Sequence, residues 1–323
     1  MNLPVRQSAG FAPLRRQNSV RRTSSIDVSW PGGQESDMRF DARSRDVVTL
    51  ENSKEMHILA EDSYVACVRQ DRTIATIHAN PEREKVVQLV GQRGGGHLRK
   101  VLAELMPEEL AEATPLYLIL DDISGASLIS GWAWSHWTSD WKERLNKTKN
   151  INMEGVCIGF RPGSSALTET VSDNMDKPVP TPELRNPDDP EGWHEFTEQK
   201  STGMRRARRI DIWLEKNLLK VESAFQDSAS TPSGERAVLH EYRLQAEADI
   251  DNGQLIQIEA TPYVLPFAEC HGAPGNLQRL VGISMNELRQ AVLSELSKVA
   301  GCTHLNDALR ALADVPKLLK HLP

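Results

Sequence analysis

The stretch EYRLQAEADIDNGQLIQIEATP, residues 241–262, decides the fold. Tyr242, Leu244, Ala246 and Ala248 alternate with Arg243, Gln245 and Glu247, the period of two that places apolar side chains on one face of a strand. Asp251-Asn252-Gly253 supplies a turn, and 254–262 reads as the returning strand of an antiparallel hairpin. Just upstream, RIDIWL (209–214) and LKVESAF (219–225) read as two more half-buried strands, and a helix is expected over 284–299. The same succession occurs earlier in the chain. SIDVSW (25–30), SYVACVRQ (63–70) and RTIATIHA (72–79) read as strands, Gln70-Asp71 as a tight connection, and 97–105 as the helix that follows.

The two runs look like copies. Ile26-Asp27-Val28 answers Ile210-Asp211-Ile212, and ATIHANP (75–81) answers IQIEATP (256–262). Asp46 and Asp227, like Pro81 and Pro262, are 181 positions apart. Leu89-Val90-Gly91 then matches Leu280-Val281-Gly282, and Leu98-Arg99 faces Leu288-Arg289 after an insertion around Cys270. The expectation is an α+β fold of two duplicated antiparallel-strand-plus-helix units in a pseudo-twofold arrangement. Residues 1–20 are expected as a flexible basic arm, and 21–150 as the first strand-rich repeat unit with a Trp-rich segment. Residues 151–203, rich in proline, read as a linker or lid, and 204–323 as the second unit with a terminal helix.

Charge and composition narrow the function classes. The net charge of -7 is uneven, because residues 1–26 hold five arginines and no acid. The acidic remainder would repel a phosphate backbone, so nucleic acid is not expected as a partner. The arm has no apolar h-region, and no run approaches a membrane span, so no membrane association and a cytoplasmic location are expected. An organelle transit peptide is the alternative reading of that arm. Cys67, Cys157, Cys270 and Cys302 form no CxxC pair and read as free thiols.

A duplicated scaffold offers an internal comparison, since a position that is apolar in one copy and reactive in the other has been specialised. Leu59-Ala60-Glu61 stands where His240-Glu241-Tyr242 stands in the second copy, with His240 and Tyr242 on one face and Glu241 on the other. In AGCTHLNDALRAL (300–312), Leu305, Leu309 and Leu312 make the buried stripe of a helix, while His304 and Asp307 share a neighbouring face. Thr303 can cap this helix, and Cys302 lies where the dipole lowers a thiol pKa. A capped terminal helix with a satisfied histidine explains the same residues. Asp46 and Asp227 are candidate paired carboxylates or strand-end turn residues. Arg93, beside three glycines in GQRGGGHLRK (91–100), could meet an anion. Trp134 and Trp137 could wall an aromatic ligand or pack a core. The run MRRARR (204–209) reads as a solvated edge or an acid-pairing patch. A metal held by Cys270, Cys302, His304, Asp307 and His240 is conceivable, though the spacing specifies none.

At RRTSSIDVSW, LDDISGASLISG (120–131), VCIGFRPGS (156–164), MRRARRIDIW, HEY (240–242) and GCTHLND the chain resembles the family called domain of unknown function 2889. The resemblance implies a bacterial protein associated with catabolism of aromatic or acyl-CoA-linked compounds. Where that family tends to read Phe-Arg-Asp-Ser, this chain has Phe225-Gln226-Asp227-Ser228. If that arginine bound an acidic substrate group, this chain lacks it.

No nicotinamide, flavin or nucleotide signature is present, so a redox-neutral reaction run by side chains is expected, with no cofactor and a small aromatic molecule as substrate. The leading expectation is a carbon-carbon lyase on an aromatic, lignin-derived catabolite, releasing a small aldehyde such as formaldehyde. His304 or His240 would be the base, Asp307 would orient it, and Tyr242 would protonate the leaving oxygen. Asp227 and Asp46 complete the catalytic candidates. Arg93, Glu241, Cys302, Trp134 and Trp137 are the substrate-binding candidates. The rivals are a non-catalytic ligand-binding or scaffold protein, and a hydrolase or thioesterase, the latter weakened by the missing nucleophile elbow. A homo-oligomer is left open.

Overall fold

The computed structural model describes residues 6–51, 55–141, 143, 153–167 and 178–323. Its frame is one antiparallel sheet of nine strands in an α+β fold. The strands are β1 (Ser19–Ser29), β2 (Met38–Thr49), β3 (Met56–Val68), β4 (Ile74–Asn80), β5 (Val179–Thr181), β6 (Gly203–Glu215), β7 (Leu218–Ser230), β8 (Arg236–Asp249) and β9 (Leu255–Val264). They are ordered β4-β3-β2-β1-β6-β7-β8, and β8 pairs beyond β7 with both β5 and β9. Both halves of the sheet meet where β1 pairs β6, with Ser24 opposite Arg208 at the middle of the register. The hairpin of 241–262 closes at Asp251-Asn252, where Gly253 takes the left-handed φ of 69° that the turn requires.

The helices are α1 (Gly96–Leu105), α2 (Pro107–Ala111), α3 (Pro115–Asp121), α4 (Ile123–Ile129), α5 (Leu288–Glu295), α6 (Thr303–Ala311) and α7 (Val315–Leu318). One apolar core gathers Ile26, Val28, Phe40, Tyr64 and Ile77 with α1, α3 and α4. A second gathers Val20, Ile210, Phe225 and Leu244 with α5, α6 and α7, and includes the expected stripe Leu305, Leu309 and Leu312. Each of the central strands β1 and β6 runs from one core to the other. Between the cores the same face of β1 and β6 carries Arg22, Arg206 and Arg208, all buried.

Those arginines begin a continuous ionic seam. Arg22 pairs with Asp46 at 2.6 Å and Asp314 at 2.8 Å. Asp314 meets Arg289, which also reaches Asp121. Asp121 meets Arg310, and Arg99 joins Asp121 to Asp307. Asp307 then pairs with Arg206 at 3.2 Å. Six guanidiniums and six carboxylates are linked in this way once Arg208, Asp122 and Asp227 are included. Each charge is compensated, which a seam shut off from water requires. The run MRRARR is therefore no solvated edge: it lies buried in a central strand, and its arginines pair with acids.

The opposite face of the sheet is covered by irregular chain. Residues 6–18, expected as part of a flexible arm, lie against it, with Ala12 N donating to Leu184 O, Ala9 N to Glu241, and Arg15 paired with Asp189 at 2.7 Å. Residues 19 and 20 already belong to β1. Of the proline-rich stretch, 151–152 and 168–177 lie outside the described residues, 179–181 forms β5, and 182–199 packs on this same face through His194, which bonds Thr23 and Ser25 of β1. β2 was not expected as a strand. Its inward positions are apolar at the ends, with Met38, Phe40 and Val48, but Ala42, Ser44 and Asp46 between them interrupt the apolar alternation.

Candidate functional site

The candidate site stands at one end of the ionic seam. β7 brings Asp227, β8 brings His240, and the first turn of α6 brings His304. Asp227 and His240 face each other across the strands, and the register slips immediately afterwards, so that Ser228 faces Val238 and Leu239 is the extra residue. A bulge of this kind re-aims the neighbouring side chain. The helix layer then sets His304 face to face on His240, with ring centroids 3.6 Å apart and planes 23° from parallel. The Phe225 ring centroid is 6.2 Å from that of His304, with the planes 29° apart.

Asp227 lies beside both rings. His240 Nδ1 is 3.1 Å from Asp227 Oδ2, and His304 Nδ1 is 3.4 Å from the same oxygen. Arg206 holds the carboxylate from the other side through Nε at 2.9 Å and Nη2 at 3.1 Å, and Nη2 is also 3.1 Å from His304 Nδ1. Burial would raise the Asp227 carboxyl, but Arg206 and the imidazoles hold it well below the usual carboxylate range. Arg206 is raised despite its burial, by Asp227, Asp122 and Asp307. Burial pushes His240 down, against the pull of Asp227, and pushes His304 well down, with His240 adding to the effect. Both imidazoles are therefore neutral near neutral pH.

These contacts assign the tautomers. An ionised carboxylate only accepts, so His240 Nδ1–H donates to Asp227 and Nε2 keeps its lone pair. A guanidinium only donates, so the shorter contact of His304 Nδ1, to Arg206, makes that nitrogen an acceptor and places the proton on Nε2. The stacked pair thus presents one basic nitrogen and one N–H donor. The side chain of His304 keeps 12% of its surface exposed and that of His240 6%, while Asp227 has none.

The ligating atoms of Asp227, His240 and His304 all lie within 4.8 Å of one another, close enough for a metal ion to be considered. The donor set does not fit one well. An imidazole lone pair lies in its ring plane, so two rings stacked at 3.6 Å direct their lone pairs side by side rather than at a common point. Arg206 also occupies the carboxylate and places a fixed positive charge against the same lone pairs.

The other sequence candidates are dispersed. Asp46 and Asp227 do not pair with each other, since each is held by its own arginine. Ala60, not Leu59, stands across from Asp46 as His240 stands across from Asp227. Asp307 turns to Arg206 and Arg99 and has no bond to His304 among the described contacts. Tyr242 is on the His240 face but inside the second core, where its hydroxyl donates to Cys302 Sγ at 3.5 Å. The first amides of α6 do pull the Cys302 thiol down, as the helix start predicts, but burial outweighs them and raises it. Cys302 is itself the N-cap residue, with no side-chain cap bond, so Thr303 is inside the helix. Glu241 lies on the opposite face with Gln226 at 3.0 Å, and the departure from the family pattern at Gln226 accordingly lies away from the imidazole pair.

Arg93 is exposed and bonds the Asp71 carbonyl at the β3–β4 turn. Trp134 packs edge-on against Trp30, and Trp137 donates to Ser230 O. Two open concavities, of about 490 and 430 Å³, are lined by Leu50, Leu214 and Leu322, and by Trp30, Asp41 and Thr197–Thr202; neither includes His240 or His304. Sequence reasoning missed Arg206. The signal was present: Arg21-Arg22 and Arg205-Arg206 each stand four residues before Ile-Asp.

Residues 204–317 match the model of a family described as Protein of unknown function (DUF2889). The match covers the C-terminal part of the chain. The matched span holds Arg206, Asp227, His240, His304 and Asp307, whereas Asp122 and Arg99, which join the same ionic seam, lie outside it. No curated protein and no solved structure matches the chain. No described helix is long and apolar enough to cross a membrane.

Proposed function

We propose that the protein is a cofactor-independent lyase that works by acid-base chemistry on the His240–His304 pair. The observation that carries the reading is two buried imidazoles stacked 3.6 Å apart beside one buried carboxylate, with Asp227 against one ring nitrogen and Arg206 against the other. Of the two histidines expected as the base, His240, held by Asp227, has the orientation of a general base. In the reaction His240 Nε2 takes a hydroxyl proton, the oxygen pair closes an aldehyde C=O, and the adjacent C–C bond breaks. The bonding pair moves onto the remaining fragment, which takes the Nε2 proton of His304. The proton on His240 and the vacancy on His304 then equalise through solvent at the exposed edge of the pair, restoring both rings. Formaldehyde would be the aldehyde where the hydroxyl is a primary alcohol. That the remaining fragment is aromatic and lignin-derived rests on the family resemblance, since Trp134 and Trp137 are engaged elsewhere.

The duplicated, pseudo-twofold origin of the sheet belongs to the same proposal. It is supported by the parallel placement of Arg22 with Asp46 and Arg206 with Asp227, and by bulges directly after both aspartates. On this reading Ala60 marks a half without a base.

A metabolite screen with purified protein, with and without chelator, tests the function. The expected result is aldehyde release that chelator does not change and that His240→Gln abolishes without loss of folding. A second reading, a binding or scaffold protein, is favoured by the absence of the pair from both concavities. Ligand binding without turnover, unchanged by His240→Gln, would establish it instead.

A further inference from the structure

Gly125 of α4 lies against Arg206 so closely that a Cβ there would fall 1.7 Å from Nη1 and 2.6 Å from Cζ. The guanidinium fills the place of the missing side chain. Asp122, one residue before α4, stands 3.6 Å from Arg206 Nη1 and also holds Arg208 at 2.6 Å. On its other edge the same guanidinium grips Asp227 and donates Nη2 to His304. Arg206 is thus clamped between a helix of the first half and the imidazole pair of the second. We infer that Gly125 is a positioning residue: by admitting the Arg206 guanidinium beside α4, it fixes His304 as the Nε2–H tautomer.

The physical argument rests on how few arrangements the buried guanidinium has. Arg206 is almost entirely buried, and its Nε–Nη2 edge is committed to Asp227. A methyl group at position 125 must turn Nη1 and Cζ out of their present place, and because the group is planar and rigid Nη2 turns with them and leaves its alignment on His304 Nδ1. His304 Nδ1 would then lose its donor and face Asp227 Oδ2, at 3.4 Å, with nothing to prevent it taking a proton. The Nδ1–H form would become populated, and the pair would present two basic Nε2 atoms instead of one base and one donor. This inference rests on the acid-base reading for its importance to catalysis, but its measurement does not require the substrate.

The test is 15N NMR of the imidazoles in the full chain labelled at histidine. In the parent protein near neutral pH, His304 should show a protonated Nε2 and bare Nδ1, and His240 the reverse. Finding Nδ1–H at His304 in the parent overturns the inference without any variant. In Gly125→Ala, if it folds, His304 should become a mixture of both forms, whereas loss of stability with the tautomer unchanged would mean that Gly125 is merely structural. If Gly125→Ala does not fold, Arg206→Lys, which lacks the branched group, should restore folding when combined with it. A combined variant that stays unfolded overturns the steric argument. The tautomers can be correct while no aldehyde is ever released, so failure of the proposed function and failure of this inference are separate results.

Discussion

Asp227 holds His240 directly and His304 through Arg206, and its replacement separates electrostatics from packing. Asp227→Asn keeps the shape of the side chain but takes from the almost entirely buried Arg206 its bidentate carboxylate, leaving it paired with Asp307 at 3.2 Å. Such a change costs about 1.5–3 kcal/mol, the net value of hydrogen bonds to a charged group. Urea unfolding measures it, and a loss below about 1 kcal/mol would mean that water reaches Arg206. His240→Gln and His304→Gln bear on chemistry instead. Each should lower aldehyde release by roughly a hundredfold or more while the thermal midpoint moves little. A variant that melts early but keeps its turnover per folded molecule would make that histidine structural. At this scale the sequence was partly legible. His240 and Tyr242 share a face and Glu241 takes the other because strands alternate, and a single chain shows that directly. It could not show that Asp307, three residues from His304 on one helix, is drawn away to Arg206 and Arg99 from distant elements.

At the scale of elements, the β7–β8 bulge and the start of α6 together make the site. Neither is visible as a site alone, because the bulge supplies an aimed imidazole and the helix supplies the ring that stacks on it. The helix start was expected to activate Cys302, and burial reverses this. Cys157, Cys270 and Cys302 are buried, and burial raises the Cys302 thiol and pushes that of Cys270 far up, while Cys67 is partly exposed. A disulfide reagent at mildly alkaline pH should therefore modify Cys67 in the native protein and the other three after unfolding. Rapid native reaction of Cys302 would reinstate the thioesterase reading. The chain before β1 is likewise an element with a structural task. Arg15→Ala should lower stability by about 1–3 kcal/mol, measured by urea unfolding, because Asp189 would lose a bidentate partner in a half-enclosed position. An unchanged midpoint would make the segment the flexible arm expected from its composition.

Across the whole molecule, the two apolar cores are joined by an ionic seam, and the pH dependence of stability should report the groups buried with it. His194, His240 and His304 are all shifted down by burial, so the unfolded chain binds their protons first. Their contribution is fully present above about 6.5, the unfolded histidine value, and is lost as the pH falls from there towards the lowered folded values. The carboxylates act in a lower window. Asp121, held at about 2 by Arg310, Arg289 and Arg99 against the opposing effect of burial, contributes above about 3.9 and loses that contribution as the pH falls towards 2. Urea midpoints should therefore begin to decline below about pH 6.5, and a plateau reaching down to about 4 would show that the histidines are solvated. The strand alternation, the turns at 70–71 and 251–253 and the stripe of α6 were determined by the sequence itself, because each arises from interactions between near neighbours along the chain. The burial of MRRARR, the absence of an activated thiol and the meeting of Asp227, His240, His304 and Arg206 were decided by tertiary structure alone. Charge compensation depends on which distant aspartates arrive beside each arginine, and local pattern carries no record of that.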